Sequence, residues 1–136
     1  RIGPTAALKT LEVMNQIKSW EKITKIGKEI GVRWVSLANK YDLPIQTGGL
    51  PSLINFQLHL DDWIKYKTLI TQEMLKKGFL AANSIYVCID HSSDIIDQYF
   101  YELDFVFKKI SECEENKDID QLLDGPISHT GFKRLN

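Results

Sequence analysis

Met74–Ile96, MLKKGFLAANSIYVCIDHSSDII, is the stretch whose reading decides the fold. Lys76 and Lys77 close a helix with cations in its last turn, where they face the negative end of the helix dipole. Gly78 stands where a left-handed residue ends a helix, because glycine has no Cβ to clash there. A small polar loop at Asn83-Ser84 follows. Ile85-Tyr86-Val87-Cys88-Ile89 is β-branched and aromatic, and predicts a strand buried on both faces. His91-Ser92-Ser93-Asp94 predicts the next helix start, with a serine cap and an acid in the first turn.

Working outward, that second helix continues through Ile96, Tyr99, Phe100, Leu103, Val106, Phe107 and Ile110 at helical spacing. Glu112 to Asp118 reads as a charged, solvated break, and Ile119–Leu123 as a last helical turn before Gly125-Pro126. The rest of the 118–136 segment reads as an extended tail. Upstream, Asp61 or Asp62 caps a helix that carries Trp63, Tyr66, Ile70 and Met74 on one face. Ile45-Gln46-Thr47 and Leu53–Leu58 read as strands, with Gly48-Gly49 as the turn between them. Pro51 cannot donate to a ladder, so it belongs at an edge or before pairing begins.

Ser19 is expected to cap a long helix whose seam is Trp20, Ile23, Gly27, Ile30, Trp34, Leu37 and Tyr41, with both tryptophans in the core. Gly27 costs about 1 kcal/mol of helix propensity on that seam, which points to another backbone passing close by. Pro4 opens a shorter helix with Ala6, Ala7, Leu8, Leu11 and Met14. The order is helix, helix, strand, strand, helix, strand, helix. The fold class is therefore α+β: a small, mostly antiparallel sheet of about three strands with helices packed on it.

A chain of 136 residues is one domain. Its net charge of −1 offers no footprint for nucleic acid or an anionic membrane. No apolar run approaches the roughly 20 residues a membrane helix needs. Two isolated cysteines, Cys88 in the expected core strand and Cys113 near a helix end, suit a reducing cytoplasm better than a disulfide framework. His59, His91 and His129 show no metal-ligand spacing with them. The chain opens Arg1-Ile2-Gly3-Pro4 without an initiator methionine, and the expectation is a piece of a longer protein.

Chemistry is scarce. Ser52, Ser84, Ser92 and Ser93 lie in no Gly-x-Ser-x-Gly elbow. Gly48-Gly49 does not open a helix and is no nucleotide fingerprint. His91 would be well presented as a general base, although a histidine at a strand end more ordinarily bonds local backbone. No catalytic, cofactor-binding or metal-binding residue follows from residue chemistry alone.

Gly78-Phe79-Leu80-Ala81, then a strand, then His91-Ser92-Ser93-Asp94-Ile95-Ile96-Asp97 resembles the C-terminal part of class III aminotransferases, where a His-Thr pair precedes such a helix start. Arg1–Leu11 is similar to the helix that follows the cofactor-binding core in that family. Gly27 and Gly49-Leu50-Pro51-Ser52 match a helix glycine and a turn. Glutamate-1-semialdehyde aminomutases and their sugar- or polyketide-associated cousins are the nearest branch.

The resemblance implies the small C-terminal domain of a fold-type I enzyme that uses pyridoxal 5′-phosphate (PLP). In that family the Schiff-base lysine, the pyridine-facing aspartate and the phosphate-binding threonine all lie upstream of Arg1. The chain alone is then expected to be inactive and to bind no cofactor. Its implied partners are an upstream PLP-binding domain and a second subunit of a homodimer, and the cut surface is expected to self-associate. Gly3, Asn83, Ser84 and His91 are the residues the resemblance places near an active-site entrance. Ser92 replaces the usual threonine, Gly3 a common asparagine, and the Ala82-Asn83-Ser84 loop is shorter than in the aminomutases. The shorter loop, where the aminomutases place a carboxylate near the active-site entrance, favours a less specific aminotransferase. A free-standing α+β module for ligand binding or protein interaction is the competing reading.

Overall fold

The computed structural model describes residues 2–116 and 119–129. Four helices, α1 (Ile2–Ile17), α2 (Ser19–Lys40), α3 (Trp63–Lys76) and α4 (Ser93–Asn116), accompany three strands, β1 (Ile45–Leu50), β2 (Leu53–Leu58) and β3 (Ser84–Tyr86). A 3₁₀ turn spans Ile119–Leu122. The strands form one antiparallel sheet in the order β1-β2-β3, so the α+β reading holds.

β2 shows why one face of the sheet is buried. Ile54, Phe56 and Leu58 are buried while Leu53, Asn55 and Gln57 are exposed, the alternation of a strand with a single covered face. Phe56 is the hub. Its ring meets Trp34 of α2 at 4.7 Å, Trp63 of α3 at 6.0 Å and Phe107 of α4 at 5.9 Å between centroids. One aromatic from each of α2, α3 and α4 thus converges on one residue of the central strand, in the tilted geometries that aromatic quadrupoles favour. The Trp34 indole N–H donates to Tyr99 Oη at 3.0 Å inside this core, and all seven apolar α4 positions named from the periodicity are buried.

Gly27 sits where another backbone does pass. A Cβ there would stand 1.7 Å from the Pro51 carbonyl oxygen. Proline 51 lies in the β1–β2 turn with Ser52, outside the ladder as its missing N–H requires.

Several expectations need correction. The turn is Pro51-Ser52, and Gly48-Gly49 belongs to β1. Gly49 has φ +84, and a Cβ there would approach Leu53 O to 2.4 Å, so glycine serves a tight strand end. Ile85–Ile89 is no doubly buried strand. β3 is three residues long and lies at the sheet edge, with Tyr86 77% exposed. Only Ile85 and Val87 turn towards the helices, because the opposite sheet face is uncovered; Cys88 is exposed.

Ser19 does not cap α2. Lys18 takes the N-cap position in a left-handed conformation without a side-chain bond, and Ser19 Oγ is buried without a hydrogen-bond partner among the described residues. Trp20 is 45% exposed rather than core. Asp62 is the N-cap of α3, but its carboxylate makes no capping bond.

The charged break expected over Glu112 to Asp118 does not begin at Glu112 either, and its residues 117 and 118 lie outside the described residues. α4 runs on to Asn116, anchored where Cys113 is buried and the Tyr66 hydroxyl donates to the Glu114 carboxylate. Burial, followed by that bond, pushes the Tyr66 phenol up from its ordinary value. Beyond the 3₁₀ turn the chain lies along α3: Asp124 N–H donates to Gln72 Oε1 at 2.8 Å, and Ser128 N–H to Thr68 Oγ1 at 3.0 Å. Residues 130–136 of the expected tail lie outside the described residues.

Candidate functional site

The site is built where the chain leaves α3. Phe79 N–H bonds Met74 O at 2.9 Å and Gly78 N–H bonds Leu75 O at 3.0 Å, with Gly78 at φ +86. This 6→1 and 5→2 pair is the Schellman stop that the glycine announced. It turns Phe79-Leu80-Ala81 across the end of the sheet. Asn83 then clamps the loop to β2: its carbonyl accepts the Phe56 N–H at 2.9 Å and its Nδ2 donates to Phe56 O at 3.0 Å. Ser84 opens β3 opposite Asn55.

After β3, a tight turn returns the chain into α4. His91 N–H bonds Cys88 O, and Cys88 N–H donates back to His91 Nδ1, both at 3.3 Å. Ser92 caps α4, its Oγ accepting the Ile95 N–H at 3.4 Å and its carbonyl the Ile96 N–H at 3.0 Å. His91 Nδ1 thus makes the local-backbone bond read for this histidine.

Between these pieces lies a pocket of about 290 Å³. Ile30 of α2, Phe79, Ile85, Ile96 and Tyr99 give it apolar walls, and Ser84, Tyr86 and His91 are its polar members. Burial pushes the Tyr99 phenol above its ordinary value, against the opposing bond from the Trp34 indole. Of the four residues the resemblance singled out, Ser84 and His91 meet on this pocket. Asn83 lies beside it as the clamp on β2. Gly3 does not line it: it sits in α1, exposed, with nothing within 4 Å of its Cβ position.

A second feature went unread in the sequence. Register places Leu50, Leu53 and Tyr86 side by side across the three strands, and all three are exposed on the uncovered sheet face. Tyr86 joins this patch to the pocket. The signal was present in the alternation of Leu53–Leu58, but the expectation of a doubly buried β3 concealed it. No group of three or more His, Cys, Asp or Glu that could hold a metal occurs among the described residues.

The lysines test whether these residues could hold PLP. A Schiff-base lysine must give up its proton, which burial or a neighbouring cation assists. Lys40, Lys65 and Lys76 are instead shifted upward, chiefly by hydrogen bonds to Asp104, Asp120 and Asp124 respectively. No described lysine lines the pocket beside β3. The pocket beside β3 therefore offers no Schiff-base lysine among the described residues.

No family profile and no curated protein matches the chain. A solved structure does: the PLP internal aldimine form of the FumI protein of Sphingopyxis sp. MTA144, with a TM-score of 0.71 at 15% identity. The match covers 87% of this chain and 29% of that one, so the chain spans less than a third of that protein's length. What the two share is the fold: three antiparallel strands with helices on one face, found as one part of a protein that carries PLP.

Proposed function

We propose that the chain is the small C-terminal domain of a longer, PLP-dependent class III aminotransferase or aminomutase, cytoplasmic and homodimeric. Its reaction is amino-group transfer on an amino acid, a semialdehyde or a sugar-type substrate. PLP supplies the electron sink for that chemistry when bound, and its lysine belongs to the upstream domain. The observation that carries the reading is the fold likeness to part of a PLP-bound protein over 87% of this chain. The exposed strip of Leu50, Leu53 and Tyr86 supports it, since an open apolar sheet face fits a domain that closes against another. The residues of this chain cover and position; they do not bond the cofactor.

Borohydride reduction in the presence of PLP tests the reading. The 136-residue chain should take up no stoichiometric label at any one lysine. The protein from the complete reading frame should take up one, upstream of Arg1. A single labelled lysine within the chain would overturn the assignment. The pocket beside β3 favours a second reading, a free-standing ligand-binding module, and a reading frame with no upstream domain would select it.

A further inference from the structure

We propose that the pocket beside β3 is a binding site for small amphiphilic carboxylates, with an aliphatic or aromatic body inside it and the acid group at His91. The site lies wholly within this chain, so the inference goes beyond the domain reading and does not depend on a cofactor.

Size and lining set the body. About 290 Å³ is room for roughly ten water-sized atoms at about 30 Å³ each. It sits at the lower end of ligand pockets, which are mostly apolar with a few placed polar groups. Ile30, Phe79, Ile85 and Ile96 offer such walls, and Tyr99 adds an aromatic surface packed edge-on against Phe79 at 5.9 Å.

Hydrogen-bond bookkeeping sets the head. His91 Nδ1 accepts the Cys88 N–H, so the neutral ring carries its proton on Nε2 and presents a donor there. Neither His91 Nε2 nor Ser84 Oγ has a partner among the described residues. Both residues line the pocket, and no Asp, Glu, Lys or Arg does. A carboxylate can accept from the imidazole N–H, while Ser84, exposed at the sheet edge, lies at the rim. An ammonium, which only donates, leaves the imidazole N–H unmatched. The start of α4 adds the positive end of a 24-residue helix at the same side. Asp94 in its first turn opposes that field in part, so discrimination rests on the imidazole N–H, because the Ser84 hydroxyl can serve an acid or an amine alike.

The test is a ¹H–¹⁵N titration of the chain with 3-phenylpropionate and with 3-phenylpropylamine, which share a body and differ in head. The acid should give saturable shifts at Ser84, Ile85, His91 and Ile96, and bind about tenfold or more tightly than the amine, the scale of a hydrogen bond to a charged group. His91→Phe, which keeps the ring and removes the donor, should erase most of that preference. Ile95→Trp, at a half-exposed lining position, should fill the pocket and abolish binding of both; the same spectra report whether each variant is folded. Equal affinity for acid and amine, an unchanged preference in His91→Phe, or shifts that are absent or fall elsewhere would each overturn the proposal.

Discussion

Gly27 leaves no room for a side chain. The helix-propensity gain of Gly27→Ala is about 1 kcal/mol, but the new methyl would meet a backbone carbonyl oxygen, which cannot rotate aside. Overpacking of this kind costs about 1–3 kcal/mol, so Gly27→Ala should destabilise the domain in denaturant melts. Gly3→Ala, with open space around it, should raise helix content instead. The reverse signs would mean that Pro51 and α2 are not in contact. This glycine was legible because it interrupted a regular seam at a known cost. Gly48-Gly49 was not, because a glycine pair favours a turn wherever it stands, and only the register with Asn55 and Ile54 makes it strand. Asn83 read as a loop residue for the same reason: its two bonds to Phe56 join positions 27 apart in sequence, which no local pattern records.

Among elements, α3 is clasped to α4 through one largely buried carboxylate. Glu73 is pushed up by burial, but hydrogen bonds from Lys109 of α4, from Lys76 and from Gln72 outweigh this and hold it at about 2, below the ordinary 4.5. The unfolded chain therefore takes up that proton more readily than the folded one. The clasp contributes fully above about pH 4.5 and is lost as the pH falls towards 2. Glu73→Gln should lower stability near neutral pH and shrink the acid-induced loss over that window. Parallel stability–pH curves for the two proteins would place the acid sensitivity elsewhere. The helices themselves were largely readable, since α4 buries the seven apolar positions its spacing named and α3 stops where Gly78 stops it. β3 was harder to read: five apolar or aromatic residues in a row look alike whether a sheet is covered on one side or two. Helix ends such as Asn116 depend on tertiary partners, here Tyr66 for Glu114, that override a charged stretch.

At the scale of the molecule, α1 stands apart. It buries no residue, and Ile2, Leu8 and Leu11 are exposed by 87%, 70% and 61%. Apolar surface presented on a helix in this way seeks a cover. The chain should self-associate through α1, with light scattering showing mass that rises with concentration, and Leu8→Glu with Leu11→Glu should return it to monomer. A concentration-independent monomer for the unsubstituted chain would show that α1 finds its cover within its own molecule. Lys18, at φ 50 and ψ 50, gives this arrangement a mechanical meaning. Sixteen residues of α1 form an arm of about 24 Å, and its bearing is set at one joint. Were Lys18 to take the right-handed dihedrals of its neighbours, Ile2 to Lys40 would run as one rod of about 60 Å. A single lysine thus separates an elbow from a strut, and the direction in which the domain holds out its apolar arm is decided by two torsion angles.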